Sequence, residues 1–97
     1  LAKKLNPGEE RVYTINLSRA WESPPRWQRA KYAILLIRRF ISRHMKVPED
    51  RVWIDNALNE LIWSRGAQKP PRKVVVRAIY MEDEEGPLVE VLPSEGS

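Results

Sequence analysis

The spacing of apolar and polar residues changes several times along the chain, and each change marks an expected element. Arg11-Val12-Tyr13-Thr14-Ile15-Asn16-Leu17 is rich in β-branched and aromatic residues, which favour a strand. Ser18 to Pro25 interrupts that run with Trp21 and the pair Pro24-Pro25, which remove backbone donors and fix φ. This stretch predicts an ordered turn leading into a helix, with Ser23 as N-cap and Pro24 in the first turn. From Arg26 to about Met45 the spacing becomes helical. Trp27, Ala30, Ala33, Ile34, Ile37, Phe40, Ile41 and His44 fall on one side, with Lys31, Arg38, Arg39, Arg43 and Lys46 opposite. Tyr32 and Leu35 sit among those cations. One side of the helix is therefore expected to lie on a sheet, while the other offers charge and an aromatic ring.

Val47-Pro48-Glu49-Asp50 predicts a loop, because proline disfavours helix in the residue before it. Val52-Trp53-Ile54 reads as a short extended piece. Asp55 is the expected N-cap of a second helix reaching Ser64, with Ala57, Leu58, Leu61 and Ile62 on its apolar side. Gly66 is the natural left-handed terminator. Ala67-Gln68-Lys69-Pro70-Pro71-Arg72-Lys73 then forms a cationic loop stiffened by two prolines, so its side chains lose less entropy on docking. Val74-Val75-Val76-Arg77-Ala78-Ile79-Tyr80 is the strongest strand signal. The turn Asp83-Glu84-Glu85-Gly86 joins it to a partner, Leu88-Val89-Glu90-Val91-Leu92, as an antiparallel hairpin. Pro93 to Ser97 has the composition of a frayed end.

These elements predict a single α+β domain over residues 1–97, with an ordered core at about 10–92 and flexible ends. The expected sheet has three strands, the N-terminal strand plus the C-terminal hairpin, with two helices packed on one face.

Charge sharpens the picture. The formal net charge is +4, yet all 17 Lys and Arg lie in residues 1–77 against 7 acids, while residues 78–97 hold 6 acids and no cation. A basic body with an acidic end should attract a polyanion by counterion release. Arginine outnumbers lysine, which favours bidentate phosphate contacts, although arginine and proline richness also suits a heat-adapted chain. There is no cysteine, so disulfides, thiolate zinc sites and cysteine nucleophiles are excluded. No apolar run approaches the ~20 residues a bilayer crossing needs, and no signal-peptide pattern opens the chain.

Candidate enzyme chemistry is thin. The one histidine, His44, sits on the apolar side of a helix, the glycines are isolated, and Asp55 is explained as a cap. No catalytic residue, metal ligand or cofactor is expected. Nucleic-acid binding has more support. Arg19, Trp21, Arg26, Trp27 and Arg29 surround the prolines before the first helix, where planar rings can stack on unpaired bases and guanidinium groups can hold phosphates. Lys31, Arg38, Arg39 and Arg43 extend that surface along the helix. Core packing is the ordinary fate of Trp27 and Trp63, and both are expected to be buried. Two other readings stay open. A DNA-binding helix-turn-helix would need cations on the second helix, yet Ala57-Leu58-Asn59-Glu60-Leu61-Ile62 has none. A module that meets acidic proteins through its basic face is the other.

Several separate motifs then agree. Arg11 to Leu17 resembles the opening strand of large-subunit ribosomal protein family thirty-one, the archaeal and eukaryotic type. Pro25-Arg26-Trp27-Gln28-Arg29-Ala30-Lys31 is similar to that family's helix start. Val52-Trp53-Ile54, Leu58-Asn59, Ile62-Trp63-Ser64-Arg65-Gly66 and Pro70-Pro71-Arg72-Lys73-Val74 follow in the family's order, so the resemblance runs from about Glu10 to Val91. Trp53 departs from the pattern, which has a basic residue there. The resemblance implies a structural, non-catalytic component of cytoplasmic ribosomes, bound to ribosomal RNA near the mouth of the polypeptide exit tunnel. Neighbouring ribosomal proteins, and factors that act on nascent chains, are the other implied partners. It also implies RNA contacts from Arg26 to Lys31, from the cations of the first helix, and from the loop that carries Arg65, Lys69, Arg72 and Lys73. Trp63 is read as a core or hinge residue.

Overall fold

A computed structural model of the protein describes residues 8–94. Strand β1 (Glu10–Asn16) leads through short 3-10 turns to helix α1 (Arg29–Met45), which is followed by β2 (Val52–Ile54) and helix α2 (Asn56–Trp63). The long strand β3 (Lys73–Asp83) and β4 (Gly86–Pro93) complete the chain. The fold is α+β, and four strands form one mixed sheet in the order β1-β3-β4-β2.

Strands β1, β3 and β4 lie where the β-branched and aromatic runs placed them, to within a few residues. Val74, Val76, Ala78 and Tyr80 of β3 are buried, and their partners Ile15, Val89 and Val91 lie on the same face. Helix α1 supplies Ala30, Ala33, Ile37, Ile41 and Met45, spaced by three or four residues, and α2 supplies Leu58 and Ile62. These residues make one core cluster between the helices and the sheet. Alanine at positions 30 and 33 leaves little side-chain bulk between the start of α1 and its neighbours. At the far end Tyr13 donates its hydroxyl to Met45 Sδ at 3.1 Å and meets the edge of Phe40 at 5.5 Å between centroids.

Four expectations need correction. The sheet has a fourth strand, because Val52, Trp53 and Ile54 pair in parallel with Val89, Glu90 and Val91. Asp55 prolongs that pairing by donating its amide to Val91 O at 2.9 Å. Three residues carry no register signal of their own, so only the distant partner makes them a strand. Ser23 caps nothing in α1, since Pro25 at ψ 153° remains extended, a 3-10 turn follows over Arg26–Gln28, and Gln28 occupies the cap without a side-chain bond. Trp27, expected in the core, is 67% exposed for the same reason: it precedes the α-helix and misses its buried stripe. Pro93 and Ser94, expected in a frayed end, are held: Pro93 closes β4 and Ser94 donates its amide to Val75 O at 3.0 Å, while residues 95–97 of that expectation lie outside the described part.

The signals at the two ends of α2 hold, although Ala57 and Leu61, expected on its apolar side, are exposed. Asp55 accepts the Ala57 amide at 3.0 Å as the cap of α2. Gly66 follows that helix with φ +91°, a conformation that penalises any side chain, and donates its amide to Trp63 O at 2.8 Å. The hairpin turn is clamped from outside by Arg51, which bonds the Asp83 carboxylate and reaches Glu85 at 3.2 Å. That guanidinium, with the Glu85 amide at 2.9 Å, holds the Asp83 carboxyl below its ordinary pKa.

Two outcomes are expected. Ile37→Ala empties a fully buried site and should lower the urea-unfolding free energy by about 2–5 kcal/mol. A depressed folded pKa means that Asp83 contributes stability above its unfolded value and loses it as pH falls through the folded one. In unfolding titrations from neutral to acid pH, Asp83→Asn should therefore be less stable than the parent at neutrality, and the gap should close below about pH 4.

Candidate nucleic-acid interface

The geometry of the basic surface starts at Trp21. A 3-10 turn over Ser18–Trp21 buries Ala20 just after the buried Leu17, which sets the indole beside the start of α1. Trp21 Nε1 donates to Pro70 O at 3.1 Å. The guanidinium carbons of Arg29 and Arg72 lie over its ring, 4.6 and 4.2 Å from the centroid. Backbone bonds tighten the same junction. Leu17 donates its amide to Arg72 O at 2.7 Å, and Ala30, whose amide has no acceptor within the helix, donates to Ala67 O at 2.9 Å. Arg29 also reaches Gln68 O at 3.3 Å and Trp21 O at 3.4 Å. The cationic loop is thus tied to the start of α1 along its length, with Pro70 buried beneath it.

Around this junction the sequence-expected cations fall into separate clusters. Arg19, from the turn before α1, meets Arg39 and Arg43 of α1 in a hollow of about 280 Å³ that also holds Asn16 and His44. Lys31 and Arg38 lie in a groove of about 390 Å³ between α1 and α2, together with Gln28, Tyr32, Ile34, Leu35, Asn59 and Trp63. Arg65 and Lys69 share a smaller hollow of about 180 Å³ against Pro71. Arg26 and Trp27 are exposed in the 3-10 turn ahead of α1. Lys73 stands apart: in β3 it has the opposite parity to buried Val74, and so it belongs to the sheet face away from the helices.

The charges on this side are uncompensated. Among the described residues the ion pairs join Arg11 to Glu9, Arg51 to Asp83 and Glu85, and Arg77 to Glu10, and none uses a cation of the three clusters or the Trp21 junction. The ion-paired acids lie on the sheet, its hairpin and the residue just before β1. Two guanidinium atoms, Arg29 Nε and Arg38 Nε, are buried without a hydrogen-bond partner. His44 stacks on Phe40 at 4.0 Å, with Nδ1 2.9 Å from Phe40 O, which accounts for it as a structural residue.

Trp63 differs from its expected role in the core. It is 40% exposed and forms a wall of the α1–α2 groove, because α2 turns Leu58 and Ile62 inward and leaves position 63 on the neighbouring flank. Asn59, one turn earlier, lines the same groove. Sequence reasoning missed this site; the available signal was that Tyr32 and Leu35 stand among cations on α1, off its buried stripe.

Known proteins match the chain over most of its length. A model of the family described as ribosomal protein L31e matches residues 9–87. The large ribosomal subunit protein eL31 of Pyrobaculum arsenaticum is 56% identical over 73 residues, covering 75% of this chain and 78% of that protein. The eL31 of Methanoregula boonei is 48% identical over 75 residues, with 77% and 82% covered. That of Haloquadratum walsbyi is 40% identical over 87 residues and covers 90% and 94%.

The Trp21 junction has a measurable energy. A double-mutant cycle of Trp21→Leu and Arg72→Ala, followed by urea unfolding, should give a favourable coupling of about 0.5–1 kcal/mol. Additive effects would mean that the indole and the guanidinium are neighbours without mutual attraction.

Proposed function

Since the chain belongs to the ribosomal protein L31e family, we propose that it binds ribosomal RNA of the large subunit, near the mouth of the polypeptide exit tunnel, through the cationic surface built on α1 and the Arg65–Lys73 loop. Its role is structural rather than catalytic, as a ribosomal protein of the cytoplasm. The observation that supports the RNA contact most directly is the segregation of charge. Arginines and lysines line three hollows with no ion-paired acid among them, while the ion-paired acids are taken up by Arg11, Arg51 and Arg77.

Binding follows from this arrangement without any moving part. Phosphates replace their counterions with fixed guanidinium and ammonium groups, and the ion release drives association. Ribose-phosphate contacts of this kind position the protein, and its folded core then holds neighbouring RNA segments in register. The loop is pre-organised, being tied by Trp21 Nε1 to Pro70 O and by Leu17 and Ala30 to the loop backbone, so little conformational entropy is lost when it docks. Arg19, Arg26, Arg29, Lys31, Arg38, Arg39, Arg43, Arg65, Lys69 and Arg72 are the proposed phosphate contacts, with exposed Trp27 offering a ring to an unpaired base. Lys73, on the other face of the sheet, reaches RNA only where the RNA wraps the sheet edge. The acidic hairpin turns toward solvent or a basic neighbour, and factors that act on nascent chains are further candidates for the exposed side.

Sedimentation of a cell lysate on a sucrose gradient is the test. The protein should co-migrate near-stoichiometrically with large subunits through a moderate salt wash; recovery in the light fractions alone would refute the assignment. Replacing Arg65, Lys69, Arg72 and Lys73 together with alanine should weaken RNA binding and flatten its salt dependence, by about one unit of log–log slope for each phosphate that is no longer neutralised. Neutralising Glu82, Asp83, Glu84 and Glu85 should leave subunit assembly largely intact, and failed assembly by a folded variant would show that the hairpin meets a ribosomal component.

A further inference from the structure

The groove between α1 and α2 has a construction that phosphate binding alone does not explain. On α1, Lys31, Leu35 and Arg38 are four and three residues apart and so form one stripe. Asn59 and Trp63 are four apart on α2 and line the same groove from the other helix, and Tyr32 adds a second ring. Two helices on one sheet commonly close such a seam with aliphatic side chains. Here it remains open at about 390 Å³, within the ~300–1,000 Å³ of small-molecule sites. Trp63 is 40% exposed, Tyr32 is half-buried, and among the described residues neither ring rests on another aromatic. Arg38 Nε is occluded yet has no acceptor. No acidic residue lines the groove.

We propose that this groove receives one unstacked nucleobase of the ribosomal RNA, with its ring on Trp63 and Tyr32, its edge within reach of the Asn59 amide, and its phosphate held by Lys31 and Arg38. The inference rests on the RNA-binding reading above and names the place where that RNA is held by a base rather than by its backbone. The chemistry of the walls selects the occupant. An apolar protein segment would cover the indole but leave two cations unpaired beneath it, which is unfavourable. An acidic peptide would pair the cations without using the flat rings. A nucleotide joins a planar π face to a negative phosphate a few ångströms away and satisfies both. Covering the exposed indole also removes apolar surface from water, so the free protein keeps an open site whose occupation is favourable.

The experiment measures binding of the full chain to large-subunit ribosomal RNA transcribed in vitro, at several salt concentrations. Trp63→Leu and Tyr32→Leu keep apolar bulk but remove the rings. Each should weaken binding about ten- to a hundred-fold with the slope of log K against log salt unchanged, because stacking releases no counterions. Lys31→Ala combined with Arg38→Ala should lower that slope. Wild-type affinity in both ring variants, beside a wild-type chain that binds normally, would overturn the base site and leave the wider RNA reading standing. A wild-type chain that does not bind the RNA would overturn both. Hydroxyl-radical footprinting of the unmutated chain covers the case in which a variant fails to fold. Trp63 and Tyr32 should be protected in the complex, and oxidation as fast as in the free protein would refute the proposal.

Discussion

The indole of Trp21 is the point at which the turn before α1, the first residue of α1 and a loop 49 residues further along the chain are forced into one arrangement. Its N–H donates to Pro70 O, and the guanidinium groups of Arg29 and Arg72 lie over its ring. A flat donor with an electron-rich face can hold a carbonyl in its plane and cations above it at the same time, which a Phe or a Leu cannot do. Without it the proline-bearing loop would keep, among the described residues, the bonds from Leu17, Ala30 and Arg29 and the pairing of Lys73 with Asn16. Pro70 and Pro71 stiffen the loop but do not aim it; the aim comes from the junction. The two arginines bound to the ring are held as rigid cations, and restrained side chains lose less freedom when they meet a phosphate.

Around that anchor the molecule separates its charges. The sheet and its hairpin use acids for internal purposes: Asp83 and Glu85 clamp Arg51, while Glu9 and Glu10 meet Arg11 and Arg77. Exposed pairs of this kind contribute little stability individually. The helical side is left with a positive field, a ring at Trp27, and a groove whose walls combine Trp63 with Lys31 and Arg38. A ribosomal protein with such a surface remains self-repelling on that side until a polyanion neutralises it.

Much of the fold was legible because it is written locally. The β-branched run of β3 and the three- and four-residue spacing of α1 depend only on near neighbours. The Asp55 cap and the Gly66 terminator are similarly local, decided within a turn of where they stand. Val52-Trp53-Ile54 was legible as extended but not as a strand, because its parallel partner Val89–Val91 lies more than thirty residues away and no periodicity encodes that distance. Ser23 was misplaced as a cap because Pro25 keeps the backbone extended and a 3-10 turn intervenes before α1. That same delay moves Trp27 off the buried stripe. Trp63 was misread because amphipathic spacing says which residues share a flank, and says nothing of whether a neighbouring helix will cover it.

By itself, then, the sequence determined the kinds of element, their order, the absence of thiol chemistry, and the division between a basic body and an acidic end. These follow from composition and from interactions a few residues long. Its family resemblance extended that to a ribosomal role, and the match over residues 9–87 agrees. Only the tertiary structure decided which aromatic residues stay exposed, which cations share a hollow, and that Lys73 lies on the opposite face of the sheet from α1. The physical reason is distance along the chain. Trp21 with Pro70, Arg19 with Arg43, and Lys31 with Trp63 are brought together by burial of a common core, and that free energy belongs to the whole domain rather than to any one segment.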